Sequence, residues 1–303
     1  MPYNCVVLVK QVPDTKRITG QAMNDDGTVN RAALPAIFNP EDLNALELAL
    51  TIKDRFGGSV TVITMGLPAA AAVLRDALFR GADDAILITD SRCAASDTLA
   101  TSYILSCAVK KIDYGIVLCG RQAIDGDTAQ VGPQLAEKLG ITQITYVEEL
   151  TKLSKKTITI RRNVGNGWQL VRTKLPVLLT VTGETNEPRV AAAKKIMRYK
   201  NALAPVEVAQ KIKAENPQAD ETSIKKLVEH KCGILREKGL LIKQWDLDFI
   251  AADLGWCGRN GSPTKVHRIQ SVVLAAKESK NIEPTDDGVT RMIHELIEDK
   301  TIM

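Results

Sequence analysis

Along the first 150 residues, short apolar runs alternate with longer stretches of helical spacing. The runs 5–9, 60–65, 85–89, 115–119 and 143–147 are rich in Val, Ile and Leu and bounded by polar or glycine residues, which predicts buried strands. Between them, 42–55, 69–80, 97–111 and 128–139 carry helical patterns, and in the third of these Leu99, Tyr103, Ile104 and Cys107 fall on one face. Gly81 and Gly140 follow the second and fourth helices, where a left-handed stop is expected. Strands and helices that alternate this regularly predict a parallel sheet covered on both faces, with right-handed crossovers.

The pattern changes after Glu148. Residues 155–163 and 169–174 read as two strands around Gly165-Asn166-Gly167, an antiparallel hairpin, and 176–181 returns to a buried strand. Asn186-Glu187-Pro188-Arg189 then breaks the order, and a basic, Ala-rich segment runs to Lys200. Beyond Leu203 the chain is more charged, with amphipathic helices expected at 223–235 and 246–254, a loop at 255–262 and a last helix at 287–298. The predicted fold is therefore α/β, a doubly wound, mostly parallel sheet with an antiparallel hairpin and a largely helical C-terminal extension. Residues 1–200 are expected to form the α/β domain and 201–303 an arm that contacts partner subunits.

Composition narrows the function. The 303 residues are 45% hydrophobic and 25% charged but only 4% aromatic, which suits aliphatic strands under Ala-rich helices. The formal net charge of +4, from 40 basic and 36 acidic residues, is too mild to imply a nucleic-acid partner. Six cysteines without a C-x-x-C pair read as free thiols in a reducing compartment, and His230, His267 and His294 lack metal-ligand spacing. The first residues enter a strand-like run directly and no segment reaches the roughly 20 apolar residues of a membrane span, so a cytoplasmic protein without membrane insertion is expected.

The densest chemistry follows the fourth strand: Gly120-Arg121-Gln122-Ala123-Ile124-Asp125-Gly126-Asp127-Thr128-Ala129-Gln130-Val131-Gly132-Pro133-Gln134. A strand ends, a polar loop follows and a helix is expected to begin near Thr128, with Pro133 close to its start. In an open α/β sheet this is the carboxyl edge, where ligands gather at the reversal of strand order, and the free amides of a helix N-terminus suit a phosphate. Gly126 and Gly132 would admit close approach, and Thr128 and Gln130 offer donors. A carboxylate beside a phosphate is repulsive, so Asp127 is expected to cap the helix and Asp125 to cap or to accept from a ribose hydroxyl. The same residues are equally compatible with a capped turn that binds nothing. Neither G-x-G-x-x-G after the first strand nor a Walker A sequence is present.

This stretch resembles the signature of beta subunits of electron-transferring flavoproteins. Val7-Leu8-Val9-Lys10-Gln11-Val12-Pro13-Asp14 is similar to that family's opening strand, and Thr185-Asn186-Glu187-Pro188-Arg189 to the end of its core. The resemblance covers about residues 1–200 and implies an adenine-nucleotide-binding fold. It implies nucleotide contacts at Leu8, at Asn39, Pro40, Glu41 and Asp42, at Met65, and at Ala123 through Gln134. The ligand is AMP in simple members and FAD, reduced by NADH, in members that bifurcate electrons. AMP-type subunits tend to carry Asp-Asp-Asp-Cys-Asn where this chain has Asp125-Gly126-Asp127-Thr128-Ala129. Glycine lowers repulsion and opens space for a pyrophosphate, which favours FAD.

By the same resemblance, residues 189–198 correspond to a loop that docks onto partner dehydrogenases, with Arg189, Ala193, Lys194, Ile196 and Met197 as the contacts. Ala193 stands where a leucine anchor is usual. The implied partners are an alpha subunit and an acyl-CoA or other dehydrogenase or a quinone or iron–sulphur oxidoreductase. The contrasting expectation is a nucleotide-sensing regulatory module of the same fold that transfers no electrons.

Overall fold

The computed structural model describes residues 3–14, 34–264 and 281–298. Its frame is a nine-stranded sheet in the order β11-β5-β4-β1-β6-β10-β7-β8-β9. The strands are β1 (Cys5–Leu8), β4 (Val60–Met65), β5 (Asp84–Ile88), β6 (Ile116–Gly120), β7 (Thr142–Leu153), β8 (Thr157–Asn163), β9 (Trp168–Lys174), β10 (Val177–Val181) and β11 (Lys243–Trp245). From β11 to β7 all neighbours run parallel, and β7, β8 and β9 are antiparallel. Two short strands, β2 (Gln11–Pro13) and β3 (Ala36–Phe38), pair antiparallel between β1 and the first helix.

The central strands are apolar throughout because both faces are covered. In β1, Cys5 and Val7 join one core with α1 (Pro40–Phe56) and α2 (Ala71–Arg80). Val6 and Leu8 join the other, with α3 (Thr98–Val109) and α4 (Val131–Leu139). The chain steps outward from β1 through β4 to β5, then crosses to β6 on the opposite side of β1. The strand order therefore reverses between β1 and β6, and the crevice at their carboxyl ends is where an open α/β sheet receives a ligand.

Most expected elements lie where periodicity put them. Gly140 stops α4 in the left-handed conformation, and Gly165 and Gly167 have positive φ in the hairpin turn. Three differences have physical causes. The expected helix at 246–254 is a single capped turn: the Asp246 carboxylate accepts from the Phe249 amide at 2.8 Å, but Ala251 turns left-handed (φ 52°) and the Ala252 amide folds back to the Leu247 carbonyl, which ends the helical course. The strand expected at 143–147 extends to Leu153, bending at Tyr146 (φ 57°) out of the parallel sheet into the hairpin. β11 comes from the C-terminal third: Lys-Gln-Trp is no apolar run, and its strand character is supplied by pairing with β5. Around it, α5 (Ala193–Tyr199) packs on α2, while α6 (Pro205–Glu215) and α7 (Glu221–Glu237) pack through Val208, Ile212, Ile224 and Leu235. The last helix is α9 (Asp286–Glu298), after the one-turn α8 (Gly258–Gly261).

Gly132 sits in the first turn of α4 facing the sheet, where an added Cβ would lie 2.8 Å from Thr180 Cγ2 and 2.9 Å from Cys119 Sγ. Gly132→Val is expected to lower the unfolding free energy by about 1–3 kcal/mol through overpacking, read as a reduced midpoint in urea with an unchanged slope.

Candidate functional site

The carboxyl edge of the sheet brings together every residue that the sequence pointed to as a nucleotide contact. Leu8 ends β1, Met65 ends β4, Asn39 to Asp42 open α1, and residues 123–134 run from the β6–α4 loop into the first turn of α4. The residues expected to dock onto a partner lie elsewhere. Arg189 pairs with Glu47 at 2.8 Å and Asp54 at 2.9 Å along α1, and the Ala192 amide donates to the Phe79 carbonyl at the end of α2. Ala193 and Lys194 are exposed, Ile196 is half-buried and Met197 is 66% exposed. Val190, 84% exposed, is the most projecting apolar side chain of the segment, and its isolation between Arg189 and Ala191 left no periodicity to mark it.

The β6–α4 loop is fixed at its root by the N-terminus of α1. Asp42 is buried, and its two oxygens accept from the Gly120 amide at 2.9 Å and the Lys10 amide at 2.8 Å. Asn39 is fully buried, donates to the Gln122 carbonyl at 2.9 Å and accepts from the Ile124 amide at 3.2 Å. Glu41 accepts from the Gln122 amide at 3.0 Å and pairs with Arg121 at 3.0 Å. Only glycine fits at position 120, because a Cβ there would lie 2.6 Å from Asp42 Oδ1. The side chains of Asn39, Glu41 and Asp42 thus hold the loop rather than reach into open space.

Beyond this root the loop turns outward. Asp127 and Ala129 take left-handed φ values of 48° and 52°, so handedness changes along 127–130. Among the described residues, the amides of Thr128, Ala129, Gln130, Val131 and Gly132 meet no acceptor. α4 begins at Val131 rather than near Thr128, and Gln130 holds the cap position without a side-chain cap bond. Asp127 is therefore not the helix cap: its carboxylate accepts from Gln122 Nε2 at 2.9 Å. A run of amides in changing handedness in front of a helix dipole can receive an anion, and a left-handed alanine costs about 1 kcal/mol to hold there. Gly126 is open, with nothing within 4 Å of an added Cβ.

The far wall is polar. Gln130 Oε1 accepts from Thr98 Oγ1 at 2.8 Å, and Gln134 Oε1 accepts from Ser102 Oγ at 3.3 Å, tying the start of α4 to that of α3. On the near side, Lys10 Nζ lies 2.8 Å from both oxygens of Asp125. Lys10 stood inside the opening motif without being marked, since a lysine after a strand carries no distinguishing spacing.

With this geometry in place, relatives define the class. Residues 26–211 match the family model "Electron transfer flavoprotein domain". The chain is 38% identical to the electron transfer flavoprotein subunit beta of Clostridium acetobutylicum over 99% of its own length and all of the relative's. It is 36% identical to protein FixA of Bradyrhizobium diazoefficiens, covering 95% of this chain and 89% of that one. It is also 45% identical to the acryloyl-CoA reductase electron transfer subunit gamma of Anaerotignum propionicum over 63% of this chain and 72% of that one. The chain belongs to the electron transfer flavoprotein family. Within it, the end-to-end match places the chain on the side of the beta subunits. No helix among the described residues is long and apolar enough to cross a membrane.

Burial raises the pKa of Asp42 to about 7, against the two backbone donors that favour its ionised form. A folded value above the unfolded one means that folding takes up a proton between pH 4 and 7, so this group's contribution to stability falls as pH rises through that window. Asp42→Asn is expected to remove that slope and, by turning an amide nitrogen toward a backbone donor, to cost about 1–3 kcal/mol at every pH. Thermal melts at pH 5, 6, 7 and 8 check both effects.

Proposed function

We propose that this chain is the nucleotide-holding partner in a heterodimer with an alpha subunit, binding FAD, with AMP as the simpler alternative, in the crevice between β1 and β6. The observation that carries this reading is the run of amides at Thr128–Gly132 with no acceptor, beside the open flank of Gly126. Their fit to a phosphate or pyrophosphate is direct: concentrated N–H donors and the positive end of α4. Met65, half-buried at the end of β4, offers apolar surface for the adenine ring, backed by the buried Leu8 of the adjacent strand.

The bound flavin supplies the hydride and electron chemistry, while the protein binds it, orients it and sets its surroundings. Gln130 and Thr98 form one polar wall and the Asn39–Glu41–Asp42 group keeps the loop from collapsing. Electrons are accepted from NADH or a dehydrogenase and passed to a further redox protein. The relative named as an electron transfer subunit of acryloyl-CoA reductase supports an acyl-CoA oxidoreductase as that partner. The segment 189–197, with Val190 and Met197 projecting and Lys194 beside them, is the docking surface: a small apolar anchor with charged surroundings suits a transient complex.

Nucleotide content per purified heterodimer tests the central assignment. Two FAD and no AMP supports a bifurcating type, one FAD and one AMP a simple shuttle, and one FAD with no second nucleotide rejects the site. Gly126→Leu is expected to remove the nucleotide held by this chain by more than tenfold in occupancy. Because its side chain meets open space, it should shift stability by less than about 0.5 kcal/mol.

A further inference from the structure

Lys10 and Asp125 follow the two adjacent strands between which the strand order reverses, so their ion pair, 2.8 Å long, spans the mouth of the crevice. The backbone of Lys10 is fixed at both ends. Its amide donates to Asp42 Oδ2 at 2.8 Å and its carbonyl accepts from the Asn39 amide at 3.0 Å. Only the four-carbon stem and its ammonium are left to move, and the side chain is half exposed.

Charge accounting singles this residue out. The loop presents two carboxylates, Asp125 and Asp127, to anything that approaches its amides. The other cation of the loop, Arg121, is turned away: it pairs with Glu41 at 3.0 Å and its guanidinium lies 5.6 Å from the centre of the Tyr146 ring. Among the described residues of this strand end and loop, Lys10 is therefore the cation held at the crevice mouth.

We propose that Lys10 is the charge-reading residue of this site, exchanging Asp125 for the phosphate of an adenine nucleotide when that nucleotide enters. The inference rests on the nucleotide reading of the crevice given above. The exchange replaces one charge-assisted hydrogen bond by another, so it favours a phosphate-bearing ligand and gives an uncharged nucleoside nothing in return. Asp125 is then a competitor that sets the threshold of charge a ligand must carry.

The test uses the heterodimer freed of bound nucleotide, titrated calorimetrically with AMP, FAD and adenosine at two salt concentrations. Lys10→Met is expected to weaken AMP and FAD at least tenfold, to change adenosine less than twofold and to flatten the salt dependence of AMP binding. Lys10→Arg should retain most of the affinity, and Asp125→Asn should tighten AMP. Parental affinity for AMP in Lys10→Met, or an equal loss of AMP and adenosine, overturns the role of Lys10 while leaving the nucleotide site in place. A parent heterodimer that binds no AMP and no more than one FAD overturns the nucleotide reading and this inference together.

Discussion

A single buried carboxylate holds the centre of this molecule together. The ladder between β1 and β6 ends at Val7 and Leu118, beyond which the two chains part and leave the amides of Lys10 and Gly120 without strand partners. Asp42 fills that gap from the first turn of α1, one oxygen to each amide. A buried amide without an acceptor is costly, so the crevice can open at the strand reversal only because a side chain from a third element closes the backbone's hydrogen bonds. Asn39 and Glu41 continue the same bracing along Gln122 and Ile124.

Bracing at the root and freedom at the tip divide the loop into two functions. Residues 120–124 are held by α1, and the amides of Gly126 and Asp127 close on the Ala123 carbonyl, whereas among the described residues those of 128–132 meet no acceptor. Bracing of this kind leaves little of the loop's root to order should a ligand bind, which would remove part of the entropic penalty of association. Every acidic side chain around the amide run already has a partner, in Gln122 for Asp127, Lys10 for Asp125 and Arg121 for Glu41, so the local field is less negative than the sequence suggests.

Strand and helix order, both glycine stops and the hairpin turn were legible in the sequence because each rests on local periodicity or backbone chemistry. The site loop was legible for the same reason: glycines, aspartates and a proline in one stretch after a strand. What escaped was whatever depends on distant partners. Nothing in Asn39-Pro40-Glu41-Asp42 says that its side chains brace another loop, and nothing in Asp127 says that Gln122 reaches it before the helix does. The helix expected at 246–254 stops after one turn where Ala251 goes left-handed, a backbone choice at a non-glycine residue that periodicity does not register. The strand at 243–245 exists only through its neighbour.

That borrowed strand governs the order in which the molecule is completed. β5 is laid down early, yet the edge beside it stays open until Lys243 aligns with Ile86 and the Trp245 carbonyl takes the Thr89 amide at 3.1 Å. A ribosome that has released only the first 240 residues presents a sheet with a bare parallel edge, a template for wrong pairing. Residues 243–245 therefore act as a closing piece, and protection of this edge from self-association waits until they are in place.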